Sequence, residues 1–216
     1  MNTRRSFSHW TPRYVTDRVM QIWWMRQNPE APWLSRQAVM FIDQWLKPDD
    51  YALEWGSGRS TTWFARRVRR LCSVEHDPGW YQSVNNLIVQ QELKNVDYVL
   101  REQTGNGPSD AEEYSQGILR DIDDESLDFA LVDGIFRDHC ALAVLGKLKP
   151  GGLLVIDDSH RYIPSNSRSP FAIPCRGPCP TSRWGRFLAE TRGWRRVWFS
   201  DGIHDDALFF KPRGRL

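Results

Sequence analysis

The stretch Tyr51–Ser60, YALEWGSGRS, constrains this chain more than any other. An apolar run leads into an acid, Glu54. Gly56 and Gly58 follow, and Ser60 then opens a helix-like segment. A strand that ends in Glu-x-Gly-x-Gly and turns into a helix makes a crevice for a nucleotide-like ligand. Glycine tolerates torsions that side chains forbid, and it lets a ligand approach the backbone. Ser60 is the expected cap of the helix.

Around this turn, apolar runs and amphipathic segments alternate. On the N-terminal side, Thr11-Pro12 starts a helix with Val15, Val19, Ile22 and Trp23 on one face, and a second helix runs from Ser35 to Lys47-Pro48. These two helices either pack across a sheet edge or partly cover the site. Strands are expected at Tyr51–Leu53, Leu71–Val74, Val96–Leu100, Leu127–Val132 and Leu153–Ile156, the last after a Lys149–Gly152 turn. Phe64, Val68 and Leu71 form the stripe of one intervening helix, and Ala141, Val144, Leu145 and Leu148 that of another. Asp77-Pro78 starts a third, and a short helix is expected around Asp110–Leu119 within a variable insertion. Trp194–Phe199 and Ala207–Phe210 read as an antiparallel pair. The alternation predicts an α/β fold: a Rossmann-like, seven-stranded, mostly parallel sheet with helices on both faces and an N-terminal helical extension. The 216 residues suit one domain. It divides into the extension (1–48), a cofactor-binding core (49–160), a variable loop or lid (161–182), and a C-terminal helix and strand pair (183–216).

Net charge is +2, too small to imply a nucleic-acid partner. The basic run Arg66–Arg70 reads as a solvated helix face. Cys72 and Cys140 fall in core positions, and Cys175-x3-Cys179 matches no common zinc spacing, so a reducing compartment is expected. No apolar run approaches membrane-spanning length, and no apolar signal region follows the basic start. These readings predict a cytoplasmic protein with no membrane partner and argue against a nucleic-acid one. The eleven tryptophans, Trp55, Trp63, Trp80, Trp184 and Trp194 among them, are expected mostly in the core.

Ligands of such sheets bind beyond the carboxyl ends of the strands, so the acids there deserve weight. Glu75 ends the second strand, 19 residues after Gly56, and can accept hydrogen bonds from a ribose diol. A nicotinamide fingerprint would place glycine where Thr61 stands. Glu54 is awkward beside a pyrophosphate and suits a cationic cofactor that carries an amino group.

ALEWGSG, SVEHD, LDFALVDG and KLKPGGLLVIDD, in this order and spacing, resemble the class I S-adenosylmethionine-dependent methyltransferases over Tyr51–Asp158. The resemblance implies S-adenosylmethionine as cofactor. Glu54, Gly56, Ser57, Gly58 and Ser60 would hold it, with Glu75 on the ribose, His76 beside the adenine and Asp133 near the methionine end. Within the class, the region after the fourth strand is most similar to small-molecule O-methyltransferases of the catechol and macrolide-sugar type. That similarity implies Mg²⁺ held by Asp133, Asp157 and Asp158, with Asp158 in place of their Asn and Phe136 in place of their lysine. Without metal, a general base is required, and His160 is the candidate beside Asp133. The expected reaction is O-methylation of a small molecule. An N- or RNA-methyltransferase using the Arg66–Arg70 face and a non-catalytic nucleotide-binding protein stand as alternatives.

Overall fold

The computed structural model describes residues 11–105 and 107–214. Its centre is one seven-stranded sheet: β1 (Tyr51–Trp55), β2 (Arg70–Glu75), β3 (Val96–Leu100), β4 (Leu127–Val132), β5 (Leu148–Ile156), β6 (Arg195–Ser200) and β7 (Asp205–Phe210). The strand order is β3-β2-β1-β4-β5-β7-β6. The first five strands run parallel, and β7 pairs antiparallel with both β5 and β6. The order reverses between β1 and β4, and a doubly wound sheet opens its ligand crevice at such a reversal.

Period-two alternation divides the sheet into two cores. Ala52, Leu71, Phe129, Leu131, Leu153, Val155 and Leu208 face one side. There they meet α2 (Arg36–Trp45) and α3 (Arg59–Ala65) through Ala38, Ile42 and Phe64. Leu53, Trp55, Val74, Val132, Ile156 and Phe209 face the other side. That side is closed by α5 (Pro108–Gln116), α6 (Arg137–Ala143) and α7 (Ser182–Glu190), through Tyr114, Cys140 and Phe187. Burial of each large apolar side chain contributes about 1.5–3 kcal/mol. α4 (Pro78–Gln90) starts as its sequence predicts: Asp77 caps it by accepting from Trp80 N, and Pro78 takes the first position.

Several boundaries differ from expectation for local reasons. The helix after the glycines stops at Ala65; Val68 lies in the turn that follows, and Leu71 belongs to β2. Ser60 is not its cap. Gly58 holds that position, and its N–H donates to Thr61 Oγ1 at 3.0 Å. α6 stops at Ala143, and Leu148 opens a long β5 in which Lys149–Gly152 is a register shift against β4 rather than a separate turn. Gly151 has φ +86° there, as an extra residue in a strand requires. Three of the four arginines of Arg66–Arg70 are not a free basic face: Arg66 pairs with Glu30, Arg67 with Asp43 and Arg70 with Asp97.

The N-terminal extension behaves in two ways. α2 docks by its apolar stripe and by Ser35, whose N–H donates to the buried Asp206 at 2.8 Å and whose hydroxyl donates to the same carboxylate oxygen. α1 (Pro12–Gln27), capped by Thr11, buries no residue; Val19 and Trp23 are each 60% exposed. The apolar face of α1 therefore does not pack on the sheet edge. Among the described residues, no helix is long and apolar enough to cross a membrane.

Ser35→Ala removes a donor from a buried carboxylate. It is expected to cost about 1–3 kcal/mol in urea unfolding, with an unchanged slope against denaturant.

Candidate functional site

The glycine turn and the end of β4 are in backbone contact. Gly56 has φ +91°, and a Cβ on it would stand 2.7 Å from Gly134 N and 2.8 Å from Asp133 C. Torsion and space both require glycine here. Gly58 differs: its backbone is extended, and a Cβ would meet only Trp80 at 3.9 Å. No neighbouring protein atom forbids a side chain at Gly58.

Glu54 lies on the α3 side of β1 and is fully buried. Ser73 Oγ donates to its Oε1 at 2.7 Å, and the Thr61 hydroxyl donates to the same oxygen, while Oε2 is buried with no partner. Burial pushes the carboxyl up to about 7, against the hydroxyl bonds that lower it. Thr61 thus holds both the turn and the acid, a structural reason for threonine where a nicotinamide fingerprint has glycine.

Glu75 ends β2 facing the turn. Ser57 donates to its Oε2 from N–H (3.1 Å) and hydroxyl (2.6 Å), while His76 N–H and Asp77 N–H donate to Oε1 at 2.8 and 3.0 Å. His76 Nδ1 lies 2.9 Å from the same oxygen. The Ser57 hydroxyl also meets Tyr98 OH at 2.7 Å, and Trp80 Nε1 donates to Ser57 O at 2.8 Å. The sequence-predicted set Glu54, Gly56, Ser57, Gly58, Ser60, Glu75, His76 is therefore gathered around one turn, with Trp80 and Tyr98 added. Trp80 lies 46% exposed over the turn, whereas Trp55, Trp63 and Trp184 are core residues.

The acids after β4 and β5 are arranged differently from the expected magnesium set. Arg137 stands between Asp133 and Asp157: Nη2 is 2.9 Å from Asp133 Oδ1, and Nη1 is 3.0 Å from Asp157 Oδ2. Its remaining donors reach the carbonyls of Asp133, Gly134 and Asp157 at 2.8–2.9 Å. The mutual repulsion of the carboxylates is relieved by a guanidinium, so Asp133, Asp157 and Asp158 do not form a three-aspartate cation site. Asp158 turns away to His204 Nδ1 (3.2 Å) and Arg161 (3.3 Å). The atoms that do converge, within 4.8 Å, belong to Asp157, Asp158 and His204, and they already carry these cationic partners.

His160 does not stand where a base could work. Its ring is fully buried, neither nitrogen has a hydrogen-bond partner, and burial lowers its pKa. The proline-rich segment is strapped over it: Ile173 N–H donates to His160 O at 2.9 Å, and Ser169 is bonded to Asp205. The imidazole that does face a cavity is His204, between β6 and β7, which sequence reasoning missed. Its pKa is raised: burial lowers it, but the Asp158 bond and the nearby Asp157 charge outweigh that. A signal for it existed. β7 runs antiparallel to β5, so the residue just before β7 returns to the edge where the parallel strands end. His204 opens on a cavity of about 630 Å³ whose other walls are α1, Trp33 and Arg59. Of the N-terminal helices, α2 packs on the sheet and α1 lines this cavity.

Two substitutions test this electrostatic framework. Arg137→Met leaves two carboxylates unpaired and is expected to cost about 3–5 kcal/mol in chemical unfolding at pH 8. For Glu54 the sign runs the other way from a salt-bridged acid. The folded cofactor-free protein keeps a proton up to about pH 7 that the unfolded chain releases near 4.5, so stability falls as pH rises through that window, by about 3 kcal/mol in all. Glu54→Gln is expected to flatten this slope when unfolding is followed from pH 4 to 8.

A family model described as a methyltransferase domain matches residues 53–159. No curated protein sequence matches the chain. Among solved structures, a methyltransferase-like protein from Silicibacter pomeroyi superposes with a TM-score of 0.59 at 20% identity, over 86% of this chain and 90% of its own. A putative rRNA-methylase from Clostridium thermocellum gives 0.56 at 11% identity, over 82% and 96%. A putative methyltransferase from Streptococcus mutans in complex with SAH gives 0.53 at 11% identity, over 80% and 94%. These likenesses establish the fold. Carried on that fold, the family match makes residues 53–159 a methyltransferase domain.

Proposed function

We propose that this methyltransferase acts on an oxygen of a small molecule, with His204 as the general base. The observation that carries the reading is the His204–Asp158 pair on a cavity of small-molecule size. A basic face for RNA is not left over from Arg66–Arg70, since three of these arginines are ion-paired.

The residues fit S-adenosylmethionine on two observations: the orphaned Glu54 Oε2, which a cationic amino group would satisfy, and the room left at Gly58. In this reading Glu54 takes the amino group and Glu75 the ribose hydroxyls, exchanging its Ser57 bond for them. His76, Trp80 and Tyr98 border the adenosine side, and Asp133, held by Arg137, borders the methionine end. The cofactor supplies a methyl group made electrophilic by its sulfonium.

Each protein group then has a task. Asp158 accepts from His204 Nδ1–H, which leaves Nε2 as the acceptor for the proton of the substrate hydroxyl. The substrate oxygen would bond to the methyl carbon as that carbon's bond to sulfur breaks and S-adenosylhomocysteine leaves, and the hydroxyl proton would go to Nε2. Arg137 fixes the ends of β4 and β5, and with them the line of approach; such alignment supplies several kcal/mol by itself. No step is routed through a metal, because Arg137 fills the place between Asp133 and Asp157.

His204→Gln is expected to lower kcat about 10²–10⁴-fold while S-adenosylmethionine affinity stays constant. The wild-type rate should rise with pH through an inflection above the ordinary imidazole value, and Asp158→Asn should move that inflection down. A His204→Gln enzyme of wild-type rate, with an unchanged pH profile, would remove the base assignment.

A further inference from the structure

The cavity beside His204 has a charge pattern that the methyl-transfer chemistry does not require. Resting on the reading above, we propose that its ligand is a hydroxylated apolar ring bearing an acidic group.

The pattern begins in the sequence of α1. Arg18, Ile22 and Arg26 recur every four residues, so they share one helix face, with Gln21 and Met25 beside them. Arg18 and Arg26 stand about 12 Å apart along the axis, an apolar stretch between two guanidines. Across the cavity Arg59 lies over the Trp33 ring at 5.5 Å, which occupies the face of the guanidinium and leaves its edge N–H groups for an acceptor. Pro29 and Trp33 complete the apolar wall.

No carboxylate among the described residues lines this cavity. Among the described residues, Arg18, Arg26 and Arg59 have no acidic partner, although Arg66, Arg67, Arg70, Arg101, Arg120 and Arg137 all have one. Arg18 donates to the neutral Gln21 at 2.7 Å. Three guanidines around one cavity without a counter-charge make it positive, which favours an anionic ligand at low salt. Arginine also presents a planar fork that matches a carboxylate. The apolar wall fixes the other half of the ligand: Trp33 offers a flat face, Ile22 and Met25 an aliphatic one. Arg59 directly follows Gly58, so the cavity adjoins the cofactor turn at one wall and His204 at another. A ring seated on Trp33, with its acid on the α1 guanidines, can direct a hydroxyl to His204.

The test uses 4-hydroxycinnamate and its neutral methyl ester, titrated calorimetrically into the full chain with and without S-adenosylhomocysteine. The acid is expected to bind about tenfold more tightly than the ester at low salt, a preference that shrinks in 0.5 M salt. In the double variant R18Q/R26Q the preference should fall to near unity, and in R18K/R26K it should largely return. Both positions are exposed, and S-adenosylhomocysteine binding reports on the fold of each variant. Equal or tighter binding of the ester, an acid preference that survives R18Q/R26Q, or no binding of either compound would overturn the proposal. Failure of S-adenosylhomocysteine itself to bind would instead count against the cofactor assignment, and the acid–ester comparison without it still decides the charge pattern.

Discussion

One guanidinium holds the working edge of this sheet together. Arg137 bonds to the ends of β4 and β5 through two carboxylates and three backbone carbonyls, at the point where the strand order has just reversed. Any parallel sheet that brings acids to adjacent strand ends faces the same electrostatic problem. It can share a proton, bind a cation from solution, or supply the cation from its own sequence. This chain takes the third course, and the rest follows. With Asp133 and Asp157 committed to Arg137, Asp158 is free to turn outward and orient His204. The backbone of Asp133–Gly134 is also fixed where Gly56 must pass under it.

The cofactor half of the site was legible because it is local. Tyr51–Ser60 and Leu71–Asp77 each place their functional groups by strand, turn and helix cap within a few residues, so periodicity and glycine spacing sufficed. The acceptor half was not, because its groups meet only through the topology. His204 comes from a hairpin after the sixth strand, Arg59 from the glycine turn, and Arg18 and Arg26 from a helix that ends more than twenty residues before the first strand. His160 was the natural histidine to choose from sequence, three residues past Asp157. Its enclosure depends on Ser169 and Ile173 folding back across it, and nothing in the local pattern marks that. The magnesium expectation failed at Arg137, whose role can be seen only once β4 and β5 lie side by side.

The same comparison separates two meanings of glycine in one motif. Gly56 is required by the protein, by its positive φ and by the backbone it crosses. Gly58 is not: its backbone is extended, and a Cβ there would meet only Trp80. Spacing alone treats the two alike. Thr61 shows the complementary case, in which a departure from one fingerprint is the mark of another site: its hydroxyl ties the turn to the buried Glu54.

α1 shapes the acceptor cavity yet buries no side chain of its own. Residues that set substrate preference are usually entangled with the core, so that altering them also alters folding. Here Arg18, Ile22 and Arg26 are exposed, so replacements there alter the cavity wall without removing a buried side chain. A lineage carrying this architecture can drift to new acceptors through one helix, under weak selection for stability, while the transfer chemistry stays unchanged behind it.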